Sequence, residues 1–382
     1  MKRRAYLKAA GASGVAALLA GCTGGAGDEP TTTASSGGTE TTTTEETTSG
    51  TTTGSETPTL TIGTYGSFVD APSSSPGVWL KEEFESEFDA TIEWQTPDAG
   101  VNHYIERALR GVESGADLYV GLDAQMLVRI DENLDDALFA PAEDLSRRGD
   151  VNEQLEFDPQ GRAVPYDTGY ISLVYDETQG DDGKFIAPET FDGLLDPEYS
   201  GALLAQNPTS SATGQAFLLH TIDAMGEDGY LDYWAQLKEN DVRVLGNWAD
   251  SYTAYSNGEA PMVVSYSTDQ VYANESGADM AKHQIRFLND QGYANPEGMA
   301  PFADATEPGL ASEFMDFVLR PDVQAEIAVR NVQFPATTTA ELPEEFAKFA
   351  QEPPEAVTFS YDRLKDNLSD WTDAWAREFA SK

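Results

Sequence analysis

The sequence predicts an α/β protein whose folded part divides into two lobes. Beginning at Thr59, apolar stretches at strand spacing alternate with amphipathic stretches at helix spacing. The order strand, helix, strand, helix, strand is typical of a parallel sheet covered by helices. About 325 of the 382 residues follow the N-terminal low-complexity part. One hydrophobic core does not usually serve so many residues, so two lobes are expected.

The first 22 residues have the features of an export signal. Basic residues precede an apolar run that is too short for a permanent membrane span. The Arg3-Arg4 pair resembles the twin-arginine signal, and Leu19-Ala20-Gly21-Cys22 resembles a lipobox, whose cysteine is lipidated. Cys22 is the only cysteine, so no disulfide forms in the folded part. We expect Cys22 to anchor the protein to the outer face of the membrane; the alternative is an ordinary signal with a chance cysteine.

Residues 23–57 are rich in Thr, Ser, Gly and Glu and have almost no apolar side chains. Such a segment cannot bury enough surface to offset the entropy lost on ordering. The composition therefore predicts a disordered tether between the anchor and the folded part.

The formal net charge of −43 is spread along the whole chain, and no basic patch is evident. Nucleic acid is therefore not an expected partner. Self-repulsion of this size is tolerable where salt screens it, so we interpret the acidity as that of a halophile's protein. The number of carboxylates consequently says little about the charge of a ligand.

In the first half of the folded part, strands are expected over residues 59–65, 90–95 and 116–123. Leu80, Phe84 and Phe88 give the first intervening helix its apolar stripe, and Val101, Tyr104, Ile105 and Leu109 give the second. A turn, Asp98-Ala99-Gly100, precedes the second helix.

In the second half, strands are expected over residues 170–175, 201–205 and 262–264. Ser210-Ser211-Ala212 lies where the second of these strands leads into a helix. Hydroxyls and free backbone N–H groups at a helix start suit an anion. The alternative is a plain N-cap, which every helix needs.

Residues 246–272 combine five aromatic residues with a polar cluster that follows a short apolar strand. Ligands bind at the carboxyl ends of strands in open α/β sheets, and aromatic faces attract a flat cation. The candidate residues are Trp248, Tyr266, Ser267, Thr268, Asp269, Gln270 and Tyr272. The alternative is that the rings belong to the core and the polar residues form a turn.

The rest of the chain is expected to add a strand over residues 284–288 and helices over residues 308–319, from Pro321, and over residues 362–379. No catalytic or metal site is expected: His103, His220 and His283 do not have metal-ligand spacing. Nucleophile-elbow, P-loop and dinucleotide motifs are absent from the sequence. A binding function is favoured over an enzymatic one.

Ordered motifs from Leu60 to the C-terminus resemble the extracytoplasmic solute-binding proteins of ABC importers, and among them those that bind thiamine. The motifs that carry the resemblance are Thr64-Tyr65-Gly66-Ser67-Phe68, Pro165-Tyr166-Asp167-Thr168-Gly169-Tyr170, Gln206-Asn207-Pro208, Trp248 and Ser265-Tyr266-Ser267-Thr268. The resemblance implies a type II periplasmic-binding fold with two hinge crossovers. Lobe 1 would comprise residues 58–165 and 292–382, and lobe 2 residues 166–291.

The resemblance also implies that thiamine, thiamine monophosphate or thiamine diphosphate binds in the interlobe cleft, without a cofactor. The implied partners are a permease and an ATPase, and the protein would be a monomer. By position, the implied binding residues are Tyr65, Asp98, Ala99, Gly100, Ser210, Ser211, Ala212, Trp248, Tyr266, Ser267, Thr268, Asp269, Gln270 and Tyr272. Asp98 or Asp269 would offset the positive charge of the thiazolium ring.

Three alternatives stay open at this point. A related importer function is the capture of ferric ion by phenolates from Tyr65, Tyr166, Tyr266 and Tyr272. The other two are a surface receptor that feeds a sensor and an enzyme tethered outside the cell.

Overall fold

The computed structural model describes residues 57–70, 75–180 and 183–380, all within one compact unit, Ser55–Lys382. The predicted export signal, Cys22 and the tether lie outside the described residues, so these remain predictions.

The described strands form one mixed sheet in the order β2-β1-β3-β9-β4-β7-β5-β6, with β8 and β10 beside β4 and β11 beside β9. The strands are β1 (Thr59–Gly63), β2 (Thr91–Gln95), β3 (Leu118–Leu122), β4 (Val164–Tyr175), β5 (Leu203–Gln206), β6 (Arg243–Leu245), β7 (Met262–Tyr266), β8 (Gln284–Arg286), β9 (Gln291–Pro301), β10 (Phe334–Pro335) and β11 (Glu355–Val357).

Helices cover the sheet, and no helix in the described ranges is both long and apolar enough to cross a membrane. The helices are α1 (Gly66–Val69), α2 (Pro76–Glu87), α3 (Asn102–Leu109), α4 (Ala124–Asn133), α5 (Ala212–Met225), α6 (Tyr230–Glu239), α7 (Trp248–Ser256), α8 (Asp269–Ser276), α9 (Pro308–Val318), α10 (Pro321–Asn331), α11 (Glu344–Phe349) and α12 (Tyr361–Ala380).

The middle of the sheet consists of two long strands, β4 and β9, of 12 and 11 residues. β9 pairs with β3 on one side and with β4 on the other, and β4 pairs in turn with β7. We call β1–β3 with α1–α4 the first half, and β5–β7 with α5–α8 the second half. The two middle strands therefore join the halves.

The sheet is mixed: its outer strands pair in parallel and its middle strands pair antiparallel. β1 pairs in parallel with β2 and β3, and β5 with β6 and β7, as the strand-helix rhythm predicts. However, β9 is antiparallel to β3 and β4, and β4 is antiparallel to β7. The sequence between residues 291 and 301 contains two Pro and two Gly residues, so its composition does not indicate a central strand.

Two large apolar clusters cover the sheet. One is confined to the first half and its neighbours and includes Ile62, Phe84 and Phe314. The other continues from α4 through β4 to α5 and α6, and it includes Leu127 and Trp234. Helix α12 contacts both α4 and α6, so the C-terminal helix packs on both halves. The lobe boundaries given above remain a prediction.

A buried ion network fixes α12 and α4 to the start of β4. Arg162, whose side chain is 4% exposed, donates to both oxygens of Asp131 at 2.7 and 2.8 Å. It also donates to Asp158 at 3.1 and 3.2 Å, and the Tyr361 hydroxyl donates to Asp131. Every carboxylate in the network has donors, so loss of the guanidinium would leave two buried charges without their counter-ion.

Arg162→Ala should therefore lower the free energy of unfolding by roughly 3–5 kcal/mol, the usual cost of breaking a buried pair. Arg243→Ala is the matched control, because Arg243 forms an exposed pair with Glu259, and such pairs contribute about 0–1 kcal/mol. Denaturant unfolding in high salt measures both variants. Equal losses for the two would contradict the structural role given to Arg162.

Candidate functional site

A cleft of about 260 Å³ lies between the first and second halves. It brings together seven of the fourteen residues that the sequence predicts as ligand contacts. These are Tyr65, Asp98, Ala99, Gly100, Ser210, Ser211 and Ala212. They come from three separate segments, so the fold has assembled residues that are up to 147 positions apart.

The wall from the first half is formed by the turn after β2 and by the start of α4. Asp98 is exposed there, whereas Asp123 is buried and caps α4 by accepting a hydrogen bond from the Met126 N–H at 2.7 Å. Burial raises the pKa of Asp123 to about 6. Arg129, one turn further along α4, is the only basic residue among the described residues that line the cleft.

The wall from the second half is the loop that leads from β5 into α5. Ser211 is the N-cap, since its Oγ accepts from the Gly214 N–H at 3.3 Å; the N-cap interpretation is confirmed. A Cβ at Gly214 would lie 2.6 Å from the Gln206 carbonyl oxygen, so only glycine lets the helix start so close to β5. The first N–H groups of α5 have no intrahelical acceptors. The loop that leads into this helix start lines the cleft.

Ser210 connects this loop to the aromatic segment. Its Oγ donates to the Gly246 carbonyl oxygen at 2.8 Å, two residues before Trp248. Trp248 is half-buried; its Nε1 donates to Ser265 Oγ at 3.0 Å, and its ring stacks on Tyr252 with centroids 4.9 Å apart. The indole is thus held in one orientation, with part of its surface exposed.

Beneath Tyr65 lies a cluster of phenols and carboxylates on the two middle strands. The hydroxyls of Tyr65 and Tyr166 both donate to Glu297 Oε2, at 3.0 and 2.8 Å. Asn331 Nδ2 donates to Asp167 Oδ2 at 2.6 Å, and Asp167 is paired with Glu297 in the β4–β9 ladder. Burial and mutual repulsion raise the pKa of Asp167 well above its usual range, and burial raises that of Glu297 to about 7.

The other seven predicted residues lie outside the lining of this cleft. Tyr266 reaches toward it, since its hydroxyl lies 3.5 Å from Thr213 Oγ1 in the first turn of α5. Ser267 and Thr268 are buried, and the Ser267 hydroxyl oxygen has no partner among the described residues. Gln270 accepts a hydrogen bond from Gln351 at 2.8 Å. The predicted contacts in this set are Trp248, Tyr266, Ser267, Thr268, Asp269, Gln270 and Tyr272, and they remain predictions.

Asp269 has protein partners for both carboxylate oxygens. Oδ1 accepts from the Tyr252 hydroxyl, and Oδ2 lies 2.7 Å from His283 Nδ1. His283 itself lines a separate cavity of about 410 Å³. Each carboxylate oxygen has one protein partner and can accept a further hydrogen bond, so the expectation that Asp269 offsets the ligand's charge remains a prediction. Asp98, the other candidate, does line the cleft.

Sequence reasoning did not select Asp123, Arg129, Asp167 or Glu297 as site residues. Asp123 was detectable as a carboxylate directly after a buried strand, and Asp167 lies within a quoted motif. Arg129 and Glu297 have no local signal, because their relevance depends on which helix and strand the fold places beside Tyr65.

Two strands shared by both halves lie beneath a cleft that strand-end and helix-start loops line. This arrangement suits the binding of a solute between the halves. A model of the family described as bacterial extracellular solute-binding protein matches residues 125–367. That is more than half of the chain, so the chain belongs to this family. The expectation of a binding protein rather than an enzyme is confirmed at the level of the family.

Individual relatives agree with this assignment. The chain is similar to the thiamine-binding periplasmic protein of Salmonella typhimurium, with 27% identity over 325 residues that cover 84% of this chain and 93% of that protein. It resembles the solved structure of a periplasmic thiamin binding protein, with a TM-score of 0.72 at 25% identity over 84% of this chain and 96% of that one. The predicted type II periplasmic-binding fold is confirmed.

A ferric binding protein from Campylobacter jejuni shares the fold, with a TM-score of 0.68 at 18% identity over 84% of this chain and 99% of that one. At that identity the likeness concerns the fold alone. The class of protein is therefore established as an extracytoplasmic solute-binding protein, while the solute has to be argued from the site.

Proposed function

We propose that this protein captures thiamine or its phosphates in the cleft and delivers the ligand to an ABC permease. The observation that carries the proposal is the separation of charge within one cleft. The start of α5, which suits an anion, lies on one wall, and a phenol and carboxylate cluster lies under the other. A ligand with a cationic ring at one end and a phosphate at the other matches this separation.

The phosphate end would be bound by the first turn of α5 and by Arg129. The helix start supplies N–H groups, and the helix dipole favours negative charge there. Arg129 approaches from the opposite wall, where its Nη1 also donates to Asn102 Oδ1 at 3.4 Å. A phosphate held from both walls would stabilise the closed arrangement of the halves, which is the state an importer recognises.

The cationic end would lie toward Tyr65 and Asp98, with Trp248 supplying an aromatic face from the second half. Aromatic rings attract a cation by about 0.5–2 kcal/mol each, and Asp98 offers a carboxylate in the cleft. Relatives that are named as thiamine-binding proteins support thiamine as the cationic ligand.

The main experiment compares Arg129→Gln with the unchanged protein. Loss of a charged hydrogen-bond donor should weaken binding of thiamine monophosphate and diphosphate by roughly 1.5–3 kcal/mol, with a much smaller effect on thiamine. Calorimetry in high salt measures all three ligands. Arg110→Gln is the control, since Arg110 forms an exposed pair with Glu106. An equal loss for phosphorylated and free thiamine would contradict the phosphate role of Arg129.

Trp248→Ala should cost roughly 1–3 kcal/mol of thiamine affinity if the indole stacks on the ligand. Trp248→Phe keeps an aromatic face but loses the bond to Ser265, so it should retain most of the affinity. Quenching of tryptophan fluorescence by thiamine should largely disappear in both variants. Unchanged affinity in Trp248→Ala would remove this residue from the site.

Ferric ion is the second candidate, because Tyr65, Tyr166 and Glu297 place two phenols on one carboxylate. Against it, burial raises the pKa of both tyrosines, which opposes formation of phenolates. In the described part of the chain, no group of three or more His, Cys, Asp or Glu could hold a metal. Binding of Fe³⁺ would give a visible charge-transfer colour, and thiamine would not.

We further propose that lipidation of Cys22 holds the protein at the outer face of the membrane after twin-arginine export. The acidic surface is that of a protein that works in high salt, where screening reduces self-repulsion. Cys22→Ser should appear in the medium rather than in the membrane fraction, and retention of this variant in the membrane would contradict lipidation at Cys22.

A further inference from the structure

Two carboxylates lie side by side where the halves join. Asp167 on β4 and Glu297 on β9 are register partners in the antiparallel ladder. Asp167 is fully buried, whereas Glu297 is half-buried. The Tyr65 hydroxyl, which donates to Glu297, belongs to a residue that lines the cleft. The pair therefore lies one hydrogen bond beneath the ligand cleft.

The groups that face the pair come from several elements, and among the described residues none of them is basic. Tyr65 and Tyr166 donate to Glu297, and Asn331 donates to Asp167. Asp123 adds repulsion from α4. No arginine, lysine or histidine in the described ranges forms an ion pair with either carboxylate. Two charges in this position would be uncompensated, which is costly in a buried site.

Oxygen atoms without donors surround the pair. Asp167 Oδ1 and Asn295 Oδ1 are buried and have no hydrogen-bond partner among the described residues. Asn295, which is 3% exposed, lies two residues from Glu297 on the same strand and hence on the same face. Gln333 Oε1 is likewise unpartnered, and it lies over Gly169, the register partner of Asn295. Unpartnered acceptors in a buried site call for a ligand that brings N–H donors or positive charge.

We propose that Asp167 and Glu297 share one proton in the ligand-free protein. When the ligand binds, its positively charged or N–H-donating part takes the place of this proton. The inference rests on the proposed function, because it places the cationic ligand in this cleft. No covalent bond forms or breaks; the proton leaves to solvent as the ligand's positive charge takes its place.

The raised pKa values fix the direction of the pH dependence. Burial and repulsion between the carboxylates raise the pKa of Asp167, and burial raises that of Glu297 to about 7. A cation prefers the deprotonated pair, so affinity for thiamine should fall as the pH decreases below this range. The fall should approach about tenfold per pH unit where one proton is exchanged.

The first test needs no ligand. Infrared spectra of the ligand-free protein, recorded about one pH unit above the pKa of Glu297, should show a protonated carboxyl group that Asp167→Asn removes, because the remaining Glu297 is ionised at that pH. Glu259→Gln, an exposed carboxylate paired with Arg243, should keep the signal. Should Asp167→Asn fail to fold, loss of the signal from the unchanged protein at alkaline pH replaces it.

The second test is calorimetry of thiamine binding in two buffers that differ in ionisation enthalpy. Measured at the same pH, the unchanged protein and Glu259→Gln should release close to one proton per ligand, and Asp167→Asn, in which Glu297 is already ionised, should release almost none. Thiamine binding without proton release, or without the infrared signal, would overturn the inference and leave the proposed function intact. Absence of thiamine binding to the unchanged protein would overturn the proposed function and the exchange together, and the infrared signal would still show separately whether the proton is shared.

Discussion

The pairing of β4 with β9 is the interaction on which the rest of the structure depends. These strands are the common boundary of both halves, because β9 continues to β3 and β4 continues to β7. Any change in the angle between the halves must be accommodated where these strands twist or bend. The same ladder aligns Asp167 with Glu297. The joint between the halves and the carboxylate pair beneath the cleft are therefore one structural feature.

In the proposed function, the positions of the two cleft walls relate the charges of the ligand to closure of the two halves. The cleft walls belong to different halves, with Arg129 and Tyr65 on one side and the start of α5 on the other. A ligand that satisfies both walls contributes binding energy to the closed state alone, which shifts the population toward it. If the proposed function holds, the carboxylates beneath the cleft favour a ligand that brings positive charge or N–H donors to acceptors such as Asp167 Oδ1.

The sequence predicted those parts of the site that have a local signature. Ser211 could be selected because hydroxyl residues between a strand and a helix start are typical of an N-cap, an interaction that lies within a few residues. Tyr65 and Asp98 to Gly100 were selected as binding residues through the resemblance to solute-binding proteins, since composition and spacing place them only after a strand and in a turn.

The parts that were missed depend on contacts between distant segments. β9 contains Pro296 and two glycines, so its strand character comes from its neighbours β3 and β4 rather than from its own residues. Glu297 acquires its role only through that pairing. The contacts of Asp269 with Tyr252 and His283 likewise join distant segments and have no signal in the local sequence.

The most direct measurement of the central claim is a crystal structure of the protein grown with thiamine monophosphate. The account predicts one ligand between the halves, with its phosphate at Ala212 and Arg129 and its cationic ring toward Tyr65 and Glu297. A ligand bound outside this cleft, or lying in it with the phosphate toward Glu297, would contradict the account.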